Sequence, residues 1–247
     1  MVGFLKELVI ILRYGLNRRL SGVKLYSDEF YRNGIELLAV KINKNSTAKL
    51  RAFIDSTLAN EKANVWRDDL GSDERIYGAE RLFPEIATLL PVHEMRKKGE
   101  SYLGCDLPHY FILAARLQYR EGNTGSGGGW HRDSPFTPQF KFITYLSNVG
   151  EDNGPFEYIP RTHSSMHKFK SKFSLSKMRF SVDEVSGQRE ETRIIVADEG
   201  SILIADTKGL HRGNPIKKGR RYACTVYFFE NKQSYDNFSR LLQSPDV

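Results

Sequence analysis

The chain reads as an α+β protein in which helices lead and a β-sandwich or jelly roll follows. Two observations carry this. Apolar residues recur at helical spacing through much of the first hundred residues, and the next ~120 residues hold six short runs rich in β-branched and aromatic side chains, separated by turn residues. Fifteen Phe and twelve Tyr suit packed β-structure. With 40% hydrophobic residues over 247 positions, the chain can bury one sizeable core. A single domain is therefore expected over 1–247, with a mainly helical lead-in at 1–104, a jelly-roll core at 105–230 and a C-terminal tail at 231–247.

The elements follow in order. Residues 1–24 carry Phe4, Leu5, Leu8, Ile11, Leu12 and Leu16 at helical spacing, with Lys6, Arg13, Arg18, Arg19 and Lys24 among them. Two readings stand for this helix: it packs on the domain, or it makes a weak membrane-surface contact through its apolar and basic faces. "IELLAVKI" (35–42) predicts a strand. "NSTAKLRAFIDSTLANEK" (45–62) predicts a helix with Ser46 or Thr47 as N-cap. Polar "RDDLGSDERIYG" reads as a loop, and "FPEIATLLPVHEMRKKGESYLG" (83–104) as a helix in two pieces broken by Pro91. Strands are expected at 110–121, 140–149, 155–160, 192–197, 200–206 and 222–229. Between the third and fourth, residues 161–193 hold eight Lys and Arg against four acids. That insertion reads either as a solvated loop or as a lid over an active-site mouth that recognises an anionic substrate through residues such as Lys168, Lys170 and Lys172.

Composition excludes several classes. A formal charge of +7 admits nucleic acid, an anionic membrane surface or an acidic small molecule as partner. The positive charge is scattered, and no helix-turn-helix, zinc-finger or aromatic RNA-binding pattern accompanies it, so nucleic acid is disfavoured. Cys105 and Cys224 form neither a disulfide framework nor a CxxC pair, which fits a reducing cytosol. No run approaches the ~20 apolar residues of a membrane span. "ELVIIL" is too short for a signal-peptide core, and no cleavage site follows it. A cytoplasmic protein, peripheral to a membrane at most, is expected; the oligomeric state is left open. The glycine cluster "GNTGSGGG" (122–129) lacks the Lys-Ser/Thr of a phosphate loop and opens no helix.

Directly after that cluster comes "WHRDS". His131 and Asp133, two apart on a strand end, point to one face, while Arg132 points to the other. A third ligand is available as His211 in "ADTKGLHRGNP", after the apolar strand "GSILIAD". Two imidazoles and one carboxylate make the facial triad of non-haem Fe(II) oxygenases, which leaves positions open for a cosubstrate and O2. A structural zinc site would instead close four positions. If 2-oxoglutarate supplies the electrons, its distal carboxylate needs a bidentate cation. "GRRYACTVYFF" offers Arg220 or Arg221 on opposite faces of a strand, and parity leaves open which is inward. His163 and His167, spaced i, i+4, have no acidic partner nearby and are expected in ordinary structural roles.

"WHRDS", "YLSNVGEDNGPFEYIPRTHS", "GSILIADTKGLHRGNP" and "GRRYACTVYF", in this order, resemble the phytanoyl-CoA dioxygenase-like family of Fe(II)/2-oxoglutarate-dependent oxygenases over roughly residues 100–230. The resemblance implies a double-stranded β-helix, iron held by His131, Asp133 and His211, and 2-oxoglutarate held by Arg221. It further implies that a polar residue on a neighbouring strand touches the cosubstrate, with Gln118 or Tyr119 as candidates before the motif and Thr144 after it. The sequence departs from the family's frequent "IPGSH" by "IPRTH", with Arg161 and Thr162. Asp133 is present where halogenating relatives carry a small residue, so hydroxylation of a C–H bond of a small, anionic molecule is the expected reaction. A jelly-roll metal enzyme that does not use 2-oxoglutarate, or a non-catalytic basic binding protein, is the alternative.

Overall fold

A computed structural model describes residues 2–20, 29–60, 65–134, 139–170 and 176–242. Helix α1 (Val2–Leu20) is followed by the short α2 (Glu29–Asn33), strand β1 (Ile35–Lys41) and helix α3 (Lys44–Leu58). Next come β2 (Val65–Arg67), β3 (Asp73–Tyr77), α4 (Ala79–Leu82), α5 (Ile86–Leu89) and α6 (Val92–Leu103). The β half consists of β4 (His109–Gln118), β5 (Phe140–Tyr145), β6 (Phe156–Tyr158), β7 (Arg193–Ile195), β8 (Ser201–Asp206), β9 (His211–Gly213) and β10 (Arg220–Phe229). The insertion holds α7 (Ser165–Lys170) and α8 (Val182–Val185), and α9 (Lys232–Leu241) follows the last strand.

Among the described residues, ten strands form two antiparallel sheets: a large one in the order β1-β8-β5-β10-β4-β3-β2 and a small one in the order β7-β6-β9. Of the core strands, β4, β5, β8 and β10 lie in the large sheet and β6, β7 and β9 in the small one, so the chain crosses repeatedly between the two sheets, as in the expected double-stranded β-helix. His131 extends the small sheet by bridging His211 on one side and Arg179 on the other.

Alternation along the strands of the large sheet divides its two faces. Ile112, Ala114, Phe140, Phe142, Ile202, Ile204, Cys224 and Val226 pack with Leu50 and Ile54 of α3 and Met95 and Tyr102 of α6 in the main core. The odd-numbered residues of β4, β5 and β10 face the small sheet and the space between. That interior is where a site can form.

Local chemistry explains most element boundaries. Pro91 separates α5 from α6, as expected. The cap of α3 is Asn43 rather than Ser46 or Thr47: its side chain accepts from Ser46 N at 2.9 Å. The segment read as a loop is instead the β2–β3 hairpin. Asp68 closes it by accepting from Ser72 N at 2.6 Å and Asp73 N at 3.1 Å. The tail contains a helix, α9, capped by Asn231 and packed through Phe238 on Phe111, Tyr227 and Phe229.

Helix α1 packs on the domain, but not through its apolar stripe. Its apolar stripe is exposed, and the side turned to the domain carries Glu7, which is fully buried. Lys24, Lys172 and the rest of 21–28 and 171–175 lie outside the described residues, as do the side chains of Arg18, Arg19, Lys168 and Lys170.

Candidate metal centre

His131, Asp133 and His211 converge at the rim of the small sheet. The two histidines exchange backbone hydrogen bonds, His131 N to His211 O at 2.9 Å and His211 N to His131 O at 3.0 Å, so their side chains stand on the same face. Asp133 is placed next to them by its N–H, which donates to Thr207 O at 3.0 Å. Asp133 Oδ1 lies 3.5 Å from His131 Nε2 and 3.6 Å from His211 Nε2. Among the described residues, these three form the one group of histidines, cysteines and carboxylates that could hold a metal ion, their donor atoms all within 4.8 Å of one another.

The surroundings fix the donors. His131 Nδ1 is 2.8 Å from Gly129 O, and His211 Nδ1 is 3.0 Å from Gly209 O. A carbonyl only accepts, so each Nδ1 carries the proton and each Nε2 presents its lone pair to the centre. His211 Nε2 is buried with no hydrogen-bond partner among the described residues, which is the signature of a donor atom kept for a ligand. Burial and the neighbouring His131 pull His211 down to about 4, against the attraction of Asp133, so the ring is neutral at physiological pH. Burial opposes the charge on Asp133. Lys141 opposes that penalty, and the carboxyl lies well below its usual range. Lys141 Nζ sits 2.6 Å from Asp133 Oδ2, leaving Oδ1 for the centre. The donor set therefore fits a divalent metal with open positions.

The glycine cluster serves this geometry. Gly127 has φ +85°, and a Cβ there would lie 2.3 Å from His131 Cε1. Only a residue without a side chain lets the loop close over the imidazole.

The centre opens on a cavity of about 420 Å³ between the two sheets. Arg221 lines it and is buried, whereas Arg220 is exposed. Arg221 Nε has no hydrogen-bond partner among the described residues, and burial lowers its affinity for the proton, with Tyr145 and Asp73 opposing. The structure turns Gln118 and Thr144 away, which corrects the expectation that they touch a cosubstrate. Antiparallel partners point to the same side of a sheet, and Gln118 pairs with Arg220 and Thr144 with Cys224. Gln118 Nε2 donates to Gly71 O at 2.9 Å, and Thr144 is sealed under the helices. Tyr119 is half exposed.

Sequence reasoning missed Lys141 and Arg75, both of which line the cavity. Arg75 grips Asp73 with two bonds, of 3.0 and 2.5 Å. A lysine between two phenylalanines in "FKFITY" was a readable signal for the first. Nothing marked Arg75, since its strand had been read as a loop. α9 was missed as well, and Phe238, Leu241 and Leu242 wall one side of the cavity. At the mouth stand Met178 and Arg179, from the middle of the insertion, where Arg132 N donates to Met178 O and Phe180 N to Trp130 O. His163 is structural, its Nε2 3.2 Å from Tyr31 O.

Solved structures share the fold. The non-haem alpha-ketoglutarate-dependent epimerase SnoN from nogalamycin biosynthesis superposes with a TM-score of 0.61 at 13% identity, covering 87% of this chain and 83% of its own. HygX from Streptomyces hygroscopicus, with nickel and 2-oxoglutarate bound, gives 0.58 at 13% identity, with 85% and 87% covered. EctD from S. alaskensis, with 2-oxoglutarate and 5-hydroxyectoine, gives 0.57 at 16%, with 85% and 75% covered. No curated protein matches the chain in sequence. The profile of the phytanoyl-CoA dioxygenase (PhyH) family matches residues 44–221, a span that holds all three converging donors and ends on Arg221, and the chain belongs to that family.

Proposed function

We propose that the chain is an Fe(II)- and 2-oxoglutarate-dependent oxygenase that hydroxylates a C–H bond of a small anionic molecule. The observation that carries this is the pairing of two features in one cavity: a triad with its Nε2 donors turned inward, and a buried arginine whose Nε has no partner among the described residues. His131, Asp133 and His211 would hold the metal, and Arg221 the distal carboxylate of 2-oxoglutarate. Bound Fe(II), 2-oxoglutarate and O2 supply the oxidising power for C–H cleavage, with succinate and CO2 as coproducts. The chain's own residues bind, orient and shield. Gly129 and Gly209 hold the imidazole tautomers, Lys141 fixes the Asp133 carboxylate, and Leu113, Ile143 and Phe156 keep the interior apolar.

Charge supports the anionic substrate. Arg75 is matched by Asp73 and Lys141 by Asp133, which leaves Arg221 and a metal dication. The two negative charges of 2-oxoglutarate do not exhaust that excess, and Arg179 adds a further cation at the mouth.

Anaerobic titration with Fe(II) and then 2-oxoglutarate tests the reading. The chelate gives a visible charge-transfer band, expected for the native protein and absent from His131→Ala, Asp133→Ala and His211→Ala variants that remain folded. Iron binding without a band on adding 2-oxoglutarate would favour a metal enzyme that uses no 2-oxoglutarate. Acceleration of 2-oxoglutarate turnover by carboxylate or phosphate compounds, and not by neutral ones, tests the substrate class.

A further inference from the structure

Helix α1 is built the wrong way round for a helix that belongs only to a water-surrounded domain. Leu5, Leu8, Val9, Leu12, Leu16 and Leu20 recur at i, i+3 and i+4 and make one stripe along its length. All six are exposed, from 39% at Leu8 to 79% at Leu20. The inward side instead carries the helix's one acid: Glu7 accepts from Ser165 Oγ at 2.5 Å and lies 3.6 Å from Lys208 Nζ. At its flank Arg13 meets Glu230 at 2.8 Å. The domain thus grips α1 by its charges and leaves its apolar side out. Single exposed apolar residues are ordinary, but a row of six over about 23 Å of helix is a docking surface.

We infer that α1 lies in the plane of an anionic lipid surface, with the leucine stripe in the headgroup boundary and the domain held beneath. Two observations select a lipid surface over a second copy of the chain. α1 carries four cations, Lys6, Arg13, Arg18 and Arg19, and its only acid is turned inward. Face-to-face pairing of two such helices would bring like charges together, on chains that each carry +7. An anionic surface reverses that sign. None of the described helices is long and apolar enough to cross a membrane, which leaves the in-plane arrangement.

The test is sedimentation of the full chain with vesicles of phosphatidylcholine, with and without phosphatidylserine, alongside light scattering of the free protein. The expected result is binding to the phosphatidylserine vesicles. Leu12→Glu/Leu16→Glu should lower that binding by about tenfold or more, at unchanged melting temperature, since both side chains are already in water. Arg18→Glu/Arg19→Glu should lower it by a similar factor. Failure of the native chain to sediment with either vesicle overturns the proposal, as does equal binding to both. So does a native dimer that the leucine variant converts to a monomer, since the stripe would then be an interface between copies.

Discussion

Arg220 and Arg221 are neighbours in sequence and opposites in setting. Arg220 is in water, and Arg221 is buried in the cavity wall. Arg221→Ala should raise the 2-oxoglutarate concentration needed for half-saturation by roughly 30- to 1000-fold, the equivalent of ~2–4 kcal/mol for a buried charge-assisted contact whose partner is left unpaired. Arg220→Ala should change it less than about threefold. The apparent affinities of the two variants decide it, and equal effects would remove Arg221 from the cosubstrate site. The sequence carried the donors well because His-x-Asp spacing puts both side chains on one face whatever the register. It could not carry Gln118 and Thr144, whose facing depends on which residues they pair with across the sheet. Once Arg221 is inward, the register with Arg220 and Cys224 forces both outward.

Arg161 is the one described residue other than glycine with a positive φ, at 69°. It occupies the position where relatives frequently carry glycine, and a left-handed backbone is costly for a side chain with a Cβ. Arg161→Gly should stabilise the fold by about 0.5–1 kcal/mol, visible as a rise of about 1–4 °C in melting temperature. The ion pair lost with Glu191, at 2.8 Å on the surface, is worth little against this. A fall in melting temperature would show that the pair outweighs the strain. The next residue keeps its role. Thr162 Oγ1 donates to Ile159 O and accepts from Leu210 N at 2.8 Å, one residue before His211. At this scale the long apolar strands and the Pro91 break were legible. The β2–β3 hairpin was not, because its strands are polar and its turn is made by one aspartate. Nor was α9, a short polar helix whose three inward residues mean nothing until the cavity they wall is known.

Within the whole molecule, the family span ends at Arg221, but the sheet does not. β10 runs to Phe229 between β4 and β5, pairing with β4 along its whole length and with β5 from Ala223 to Tyr227. A fragment of residues 44–221 would lack β1 and most of β10, leaving a gap in the middle of the large sheet. It should show no cooperative unfolding by circular dichroism, whereas residues 29–242 should retain it. Cooperative melting of the shorter piece would mean that the rest of β10 is dispensable. The jelly-roll class was legible because six β-rich runs are hard to arrange otherwise. The strand order was not, since it depends on contacts between distant segments. That order also sets a timetable for synthesis. The strand at the centre of the large sheet is the last of the described strands to be made, so a chain emerging from the ribosome exposes His131 and Asp133 well before, and His211 shortly before, the gap between β4 and β5 can be filled. Arg221 arrives with the closing strand. The nascent chain therefore carries these three side chains for a time without the wall that would hold them away from water, and a finished pocket appears only when nearly all of the described chain is out.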